Sequence, residues 1–245
     1  MFDQKKSAFL AAALVCVTGT AWSENAAVPP SVPLTSGQIV NELQQRDRAR
    51  TLELKHYTTV RHYEVEYHGF SAAVHAQMEV AVDYNAASGK SFRIVSQSGP
   101  KFLVDKVLKR AVDSEKEAEQ DKGSSAMNPA NYKFQLAGSE SVGGRPAYIL
   151  NVEPRTPNKF LVKGKIWVDE ADFAVLKMET EPSKSPSFWI SKTLIHFTSE
   201  KVDGFWLPQQ VRSETKVRIG GTAVLAINYG SYKVDSEIAE RGKAY

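Results

Sequence analysis

The chain has 245 residues, of which 42% are hydrophobic, 10% aromatic and 24% charged. This apolar content supports a substantial core and excludes wholesale disorder, and the length fits one large domain or two small ones. The 31 basic and 28 acidic residues give a net charge of +3, which is too small and too evenly mixed for a dedicated nucleic-acid-binding protein. The single cysteine excludes an intramolecular disulfide framework and a cysteine-rich metal site.

Residues 1–23 are predicted to be a secretory signal peptide. Two lysines lie near its start, residues 8–17 form an apolar run, and Ala21 and Ser23 are small residues where a signal peptidase requires them. The run is shorter than the roughly 20 residues that a helix needs to cross a bilayer. We therefore expect an exported protein.

The alternative is a membrane-anchored lipoprotein attached through Cys16. Lipoprotein processing cuts immediately before a cysteine and prefers a small residue at the preceding position. Val15 is not small, so the sequence favours the signal peptide.

Residues 24–34 contain three prolines and are predicted to be an extended linker, followed by a single domain over residues 35–245. Thr35 or Ser36 can cap a helix that runs through about Arg50. Beyond this helix the hydrophobic period changes from 3.6 to 2, which is typical of strands. Strand patterns with short turns then continue almost to the end of the chain, and short turns join antiparallel neighbours.

The predicted fold is mainly β (α+β): an incomplete antiparallel barrel, or strongly curved sheet, of about ten strands with an N-terminal helix and a helical lid. The strands of the second half are predicted over seven segments: Tyr132–Ser141, Ala147–Glu153, Phe160–Val168, Phe173–Glu181, Phe188–Lys201, Trp206–Arg218 and Thr222–Val234. The last three exceed ten residues and are long enough to curl.

The lid is predicted from a second amphipathic helix over Lys101–Glu119. Its apolar stripe contains Phe102, Leu103, Val107 and Ala111. The small, polar residues 123–131 are expected to form a loop.

A curved sheet of this size is expected to enclose an apolar hollow, because about ten long strands have few helices to fill their concave side. For any one of the candidate lining residues the alternative is ordinary core packing. The candidates are Tyr63, Val65, Tyr67, Met78, Val80, Val82, Leu150, Val152, Phe160, Val162, Trp189, Ile195, Phe197, Leu225 and Ile227. Such a hollow could hold acyl chains without a catalytic group.

Strand-and-turn motifs carry a resemblance to a known family. They are Asn131–Phe134, Gly144–Leu150, Gly164–Asp169, Phe173–Glu179 and Gly204–Pro208. Over roughly residues 35–235 the chain resembles periplasmic outer-membrane lipoprotein-sorting proteins of the LolA/LolB-like superfamily. The resemblance implies an incomplete barrel closed by a helical lid, acyl chains of a lipoprotein or other lipid as cargo, and inner- and outer-membrane transfer proteins as partners. A monomer is expected.

Few individual residues can be carried over from this family. The resemblance implies an arginine under the lid that controls release, but neither Arg61 nor Arg93 can be assigned to that role from the sequence. The matching positions are expected to be architectural: Trp167, Asp169, Trp206 and Pro208. LolB-type receptors are themselves lipoproteins, and the poor context of Cys16 disfavours that branch.

The sequence gives no support for catalysis, a cofactor or a metal. His56, His62 and His68 share a strand face, but steps of six residues separate neighbours by about 20 Å, so they cannot bind one ion together. No Gly-x-Ser-x-Gly elbow occurs. The leading hypothesis is a carrier that shields acyl chains. The alternatives are a non-catalytic structural or regulatory protein-binding module with a filled core and, third, an exported hydrolase.

Overall fold

The structure is a computed structural model that describes residues 33–69, 72–185, 190–218 and 220–236. The predicted signal peptide, Cys16 and most of the predicted linker lie outside the described residues, as does Trp189.

Helix α1 (Ser36–Glu53) begins where the sequence predicts. Thr35 caps it: the Thr35 hydroxyl accepts the Gln38 N–H at 3.3 Å, and the Gln38 side chain accepts the Thr35 N–H at 2.9 Å. This reciprocal capping box satisfies backbone groups that have no partner inside the helix. Ile39, Val40 and Leu43 form the buried face of α1.

Eleven strands of the described chain form one antiparallel sheet. They are β1 (Leu54–His68), β2 (Val74–Asn85), β3 (Gly89–Ser98), β4 (Tyr132–Val142), β5 (Arg145–Pro154), β6 (Val162–Asp169), β7 (Val175–Pro182), β8 (Ile190–Val202), β9 (Phe205–Val217), β10 (Thr222–Tyr229) and β11 (Lys233–Ser236). The order is β3-β2-β1-β10-β9-β8-β7-β6-β5-β4, and β11 also pairs with β1. Because β3 and β4 stand at opposite ends, the curved sheet does not close into a barrel, and the predicted fold class is confirmed.

The connection between β3 and β4 is helical. Helix α2 (Lys101–Leu103), a π-helical turn (Val104–Leu108) and helix α3 (Lys109–Gln120) follow without interruption, and together we call them the middle helix. It matches the predicted second helix, although the π turn was not predicted. The short helix α4 (Lys122–Ser125) occupies the start of the predicted loop, because the Asp121 side chain accepts the Ser124 N–H and caps it.

Three differences from the predicted strands have a clear physical cause. The strand predicted from Phe160 begins only at Val162, since the Asn158 side chain accepts the N–H groups of Phe160 and Leu161 and holds them in a turn. The strand predicted from Phe173 begins at Val175, because Phe173 has a positive φ of 47°.

The third difference is a break near the C-terminus, where one predicted strand, Thr222–Val234, is divided into β10 and β11. Gly230 follows β10 and donates its N–H to the Val60 carbonyl at 2.8 Å. A Cβ at this position would lie 2.6 Å from that carbonyl oxygen, so the close approach requires glycine.

Two main apolar clusters fill the concave side of the sheet. The first joins β1 and β2 to the buried residues Leu103, Val104, Leu108 and Val112 of the middle helix. The second joins the buried face of α1 to strands β4, β5 and β6. Each half of the sheet is therefore covered by its own helix. Among the described residues, no helix is long and apolar enough to cross a membrane.

Candidate ligand cavity

A cavity of about 540 Å³ lies between α1 and strands β7, β8 and β9. Its lining comes from α1, from the residues after α4 and from the sheet. The lining residues are Leu43, Gln44, Asp47, Arg48, Arg50, Ala126, Met127, Asn128, Ala174, Val175, Met178, Phe197, Ser199, Trp206 and Pro208. This volume falls within the usual range for small-molecule sites, about 300–1,000 Å³.

The sheet side of the cavity is largely apolar. Val175 and Met178 come from β7, Phe197 from β8, and Trp206 and Pro208 from β9. Met178 pairs with Phe197 across the β7–β8 ladder, so their side chains lie on the same face. This surface, which we call the cavity floor, can bury hydrocarbon.

The opposite wall is polar and belongs to α1. Arg50 donates to the backbone carbonyls of Asp172 at 2.9 Å and Phe173 at 3.3 Å, and lies 4.0 Å from the Asp47 carboxylate. Arg48 is exposed and has no hydrogen-bond or ion-pair partner in the described part of the chain.

Gln44 lies on the same wall. Its Nε2 atom is buried and has no hydrogen-bond partner within the described residues. An amide donor without an acceptor is uncommon inside a folded protein and calls for an explanation.

Trp206 is held rigidly at the edge of the floor. Its indole Nε1 donates to the Asp172 carboxylate at 2.9 Å, and the same carboxylate accepts hydrogen bonds from Arg145 at 3.1 Å and Lys201 at 2.7 Å. Burial alone would raise the pKa of Asp172, but the bonds from Lys201 and Trp206 outweigh it and lower the pKa. The carboxylate therefore stays ionised and fixes the indole ring.

The architectural role expected of Asp169 is visible in the same region. Asp169 is buried and accepts from the Arg145 guanidinium at 2.6 and 2.9 Å and from the N–H groups of Ala171 and Asp172. These bonds form the turn between β6 and β7.

Most of the predicted cavity residues lie in the two cores and not around the cavity. Those in the first core, under the middle helix, are Tyr63, Val65, Tyr67, Met78, Val80, Val82, Leu225 and Ile227. Leu150 and Val152 are buried in the second core, while Phe160, Val162 and Ile195 are partly buried. Of the fifteen, Phe197 lines the cavity.

The four predicted lid residues differ in their exposure to solvent. Leu103 is buried in the first core, and Val107 and Ala111 pack against it partly buried. Phe102 points away from this cluster and is 54% exposed. The apolar stripe of the middle helix thus covers the group of predicted cavity residues on β1, β2 and β10.

Under this helix lies a buried arginine. Arg61 is 1% exposed on the inward face of β1, and its Nη1 donates to the Glu115 carboxylate of α3 at 2.5 Å. Lys90 of β3 donates to the same carboxylate at 3.0 Å. The Arg61 guanidinium also lies over the rings of Tyr229, at 4.6 Å, and Phe92, at 5.6 Å.

This triad of Arg61, Glu115 and Lys90 is fully ionised. Burial alone would raise the pKa of Glu115, but the positive charges of Lys90 and Arg61 outweigh it, and the pKa is lowered. Burial alone would lower the pKa of Arg61, yet Glu115 raises it above the ordinary arginine value. The triad is therefore a buried electrostatic contact between the sheet and the middle helix.

Sequence reasoning missed the α1 wall and the role of Arg61. Arg61 carried a signal, because it has the same parity along β1 as the inward-facing Tyr57, Thr59, Tyr63 and Val65. For Gln44 and Arg48 no signal existed, because polar residues are ordinary on the solvent side of an amphipathic helix.

The three histidines of β1 pair with carboxylates. His56 lies between Asp83, at 3.3 Å, and Asp235, at 3.1 Å, and His62 lies 3.2 Å from Glu79. In the portion of the chain that the structure covers, no three metal-ligating side chains converge on one point.

One protein family matches residues 116–241, which is just over half of the 245 residues, and its description reads "Uncharacterized protein". The chain belongs to this family. The search of curated proteins gave no match.

Solved structures give the other comparisons. A DUF1329 family protein from Desulfovibrio piger is 13% identical with a TM-score of 0.43, covering 83% of this chain and 94% of the other. An outer membrane lipoprotein-sorting protein domain from Vibrio parahaemolyticus is 14% identical with a TM-score of 0.43, covering 81% and 92%. A LolA superfamily protein from Nitrosomonas europaea is 12% identical with a TM-score of 0.35, covering 83% and 95%. The last two bear the name of the class that the sequence motifs resemble.

Proposed function

We propose that the protein is a periplasmic carrier that binds acyl chains of a lipoprotein or another lipid and passes them on without catalysis. The observation that carries this proposal is the cavity of about 540 Å³ whose floor is formed by Val175, Met178, Phe197, Trp206 and Pro208. Apolar burial contributes about 0.8 kcal/mol for each methylene, so a hydrocarbon tail needs no reacting group to be held there.

The middle helix is the proposed lid. Its stripe covers apolar residues of β1 and β2, and its buried polar contact with the sheet is the triad of Arg61, Glu115 and Lys90. Lifting the helix would expose the predicted cavity residues beneath it, among them Tyr63, Val65 and Met78. The space for cargo would then extend from the present cavity across the concave face.

The proposed cellular location is based on the sequence. A signal peptide over residues 1–23 would direct the single domain, residues 35–245, into the periplasm. Inner- and outer-membrane transfer proteins are the proposed partners, since a carrier needs a donor and an acceptor. Sorting of lipoproteins to the outer membrane is the proposed process.

The test combines native mass spectrometry with a binding assay. Protein purified from the periplasm should retain a lipid, and the delipidated protein should bind a fluorescent fatty-acyl probe. Met178→Trp, which fills the cavity floor, should weaken probe binding at least tenfold. Leu194→Trp is the matched control, because Leu194 points to the opposite face of β8 from Phe197 and should leave binding unchanged.

A consistently empty protein that takes up no acyl probe would contradict the carrier. It would favour the second candidate, a non-catalytic structural or regulatory module that binds a protein partner. The observation behind that candidate is the filling of both halves of the concave face by helix side chains. The cavity would then be a packing gap.

A further inference from the structure

We infer that the cavity selects single-chain amphiphiles with an anionic head group, which Arg48 and Gln44 recognise from the α1 wall. This inference rests on the proposed function, because it names the class of ligand that the same cavity takes.

The first argument is the charge of the lining. The charged residues of the cavity are Asp47, Arg48 and Arg50. Asp47 and Arg50 lie 4.0 Å apart and neutralise each other, and Arg50 is further occupied by two backbone carbonyls. Arg48 remains as a guanidinium without a partner in the described regions, so the cavity has a net positive charge. Guanidinium groups bind carboxylates and phosphates through charge-assisted hydrogen bonds.

The second argument is the amide of Gln44. Its buried Nε2 lacks an acceptor within the part of the chain that is described, and leaving a buried donor unsatisfied is energetically unfavourable. An oxygen of a bound head group would satisfy it. Because Gln44 and Arg48 are four residues apart on α1, their side chains lie on the same side of the helix and can act on one ligand.

The third argument is the division of the cavity into two surfaces. The polar groups belong to α1, and the apolar floor belongs to strands β7–β9. A ligand with a charged head and a hydrocarbon tail matches this division, with the head at α1 and the tail along Met178 and Phe197. A wholly apolar ligand would leave Gln44 and Arg48 unsatisfied.

The test compares two ligands with nearly equal tails, decanoate and 1-decanol, by isothermal titration calorimetry at pH 8, where the carboxylate is ionised. The full protein should bind decanoate about fivefold more tightly than decanol, as expected for one partly exposed ion pair. Arg48→Gln should reduce this preference, chiefly by weakening the binding of decanoate. Arg46→Gln should retain the preference, because Arg46 pairs with Glu42 on α1 outside the lining.

Gln44→Leu provides a second variant. It should weaken decanoate binding several-fold and decanol binding less, because a charged carboxylate accepts a stronger hydrogen bond from the amide than a hydroxyl oxygen does. Equal binding of decanoate and decanol by the unmodified protein, or an unchanged preference in Arg48→Gln, would overturn the inference and leave the carrier proposal standing. Failure of both ligands to bind would overturn the inference and the carrier together.

Discussion

Arg61 occupies a position on β1 at which neighbours of the same parity are buried and, apart from Thr59, are aromatic or apolar. A charge in such a place is tolerated only when another charge neutralises it. Glu115 does so from the middle helix, and the rings of Tyr229 and Phe92 add favourable contact with the guanidinium. The stability of the first core therefore depends on one carboxylate.

Replacing that carboxylate should be costly. Glu115→Gln leaves Arg61 buried without a compensating charge, and we expect the free energy of unfolding to fall by about 3 kcal/mol. Urea unfolding followed by circular dichroism measures the change. Glu117→Gln, on the same helix but with an exposed ion pair to Lys159, should change little. Equal stability of the two variants would contradict this reading of the triad.

The face of Arg61 could be predicted from the sequence, but its partner could not. Period-2 alternation along β1 places residue 61 inward, and that depends on local geometry alone. Glu115 lies 54 residues away, on a helix whose docking against β1 is a tertiary event. Its charged neighbours on the helix, Lys116 and Glu117, favour solvent exposure, whereas the structure places Glu115 half-buried against Arg61.

Among the elements, the short strand β11 depends on a pH-sensitive contact. His56 of β1 bridges Asp83 of β2 and Asp235 of β11. Both hydrogen bonds raise the pKa of His56, and the bond with Asp83 contributes most. A histidine with a raised pKa contributes stability fully below its unfolded pKa of about 6.5, and this contribution is lost as the pH rises through the folded pKa.

We therefore expect the amides of β11 to lose protection as the pH rises above about 6.5, the unfolded pKa of histidine. Hydrogen exchange, corrected for the intrinsic pH dependence of the exchange rate, measures this local opening. His56→Gln should remove the pH dependence, whereas His62→Gln should retain it because His62 pairs with Glu79 away from β11. Protection that rises with pH in the unmodified protein would refute the expectation.

The ladder between β6 and β7 depends on a glycine. Gly164 has φ +141°, and a Cβ there would lie 2.4 Å from the Glu179 carbonyl oxygen. Gly164→Ala should destabilise the protein by more than about 1 kcal/mol, because both the conformation and the close approach oppose a side chain. Gly123→Ala is the control in the same thermal-unfolding experiment, since a Cβ at Gly123 meets nothing within 4 Å. A Gly164→Ala variant as stable as this control would contradict the prediction, because it would show that the β6–β7 ladder can accommodate a side chain at this position.

Helices and strands were predicted correctly where the hydrophobic periodicity alone determines them. The inward residues of β1 and β2 alternate as the sequence indicates, and Thr35 caps α1. The break at Gly230 was missed because a close approach to the Val60 carbonyl depends on a strand 170 residues earlier. The π turn at Val104–Leu108 also has no periodic signature.

In the whole molecule, each of the two cores is covered by a different helix, the first by the middle helix and the second by α1. Leu108 of the middle helix is completely buried in the first core, and Ile166 of β6 is completely buried in the second. Leu108→Ala and Ile166→Ala should both destabilise the protein by about 2–5 kcal/mol. Only Leu108→Ala should speed uptake of an acyl probe in stopped-flow fluorescence, because it weakens the proposed lid. Equal uptake rates in the two variants would argue against a lid at the middle helix.

The curved sheet was within reach of sequence reasoning, whereas the position of the cavity was not. Long alternating strands with short turns define the sheet. Which part of its concave side stays open depends on where the two helices settle, and that follows from side-chain packing across the molecule. Most of the predicted lining residues therefore lie under the middle helix, and the open space lies beside α1, between Gln44 and Met178.

The gap between β3 and β4 has a mechanical consequence. In a closed barrel, the number of strands and the shear determine the barrel diameter, so the interior has a fixed size. An open sheet with two free edges has no such constraint. Small changes in twist between successive strands can therefore add up to a wider or narrower concave face. The proposed carrier could therefore accommodate ligands of different size without breaking a strand ladder.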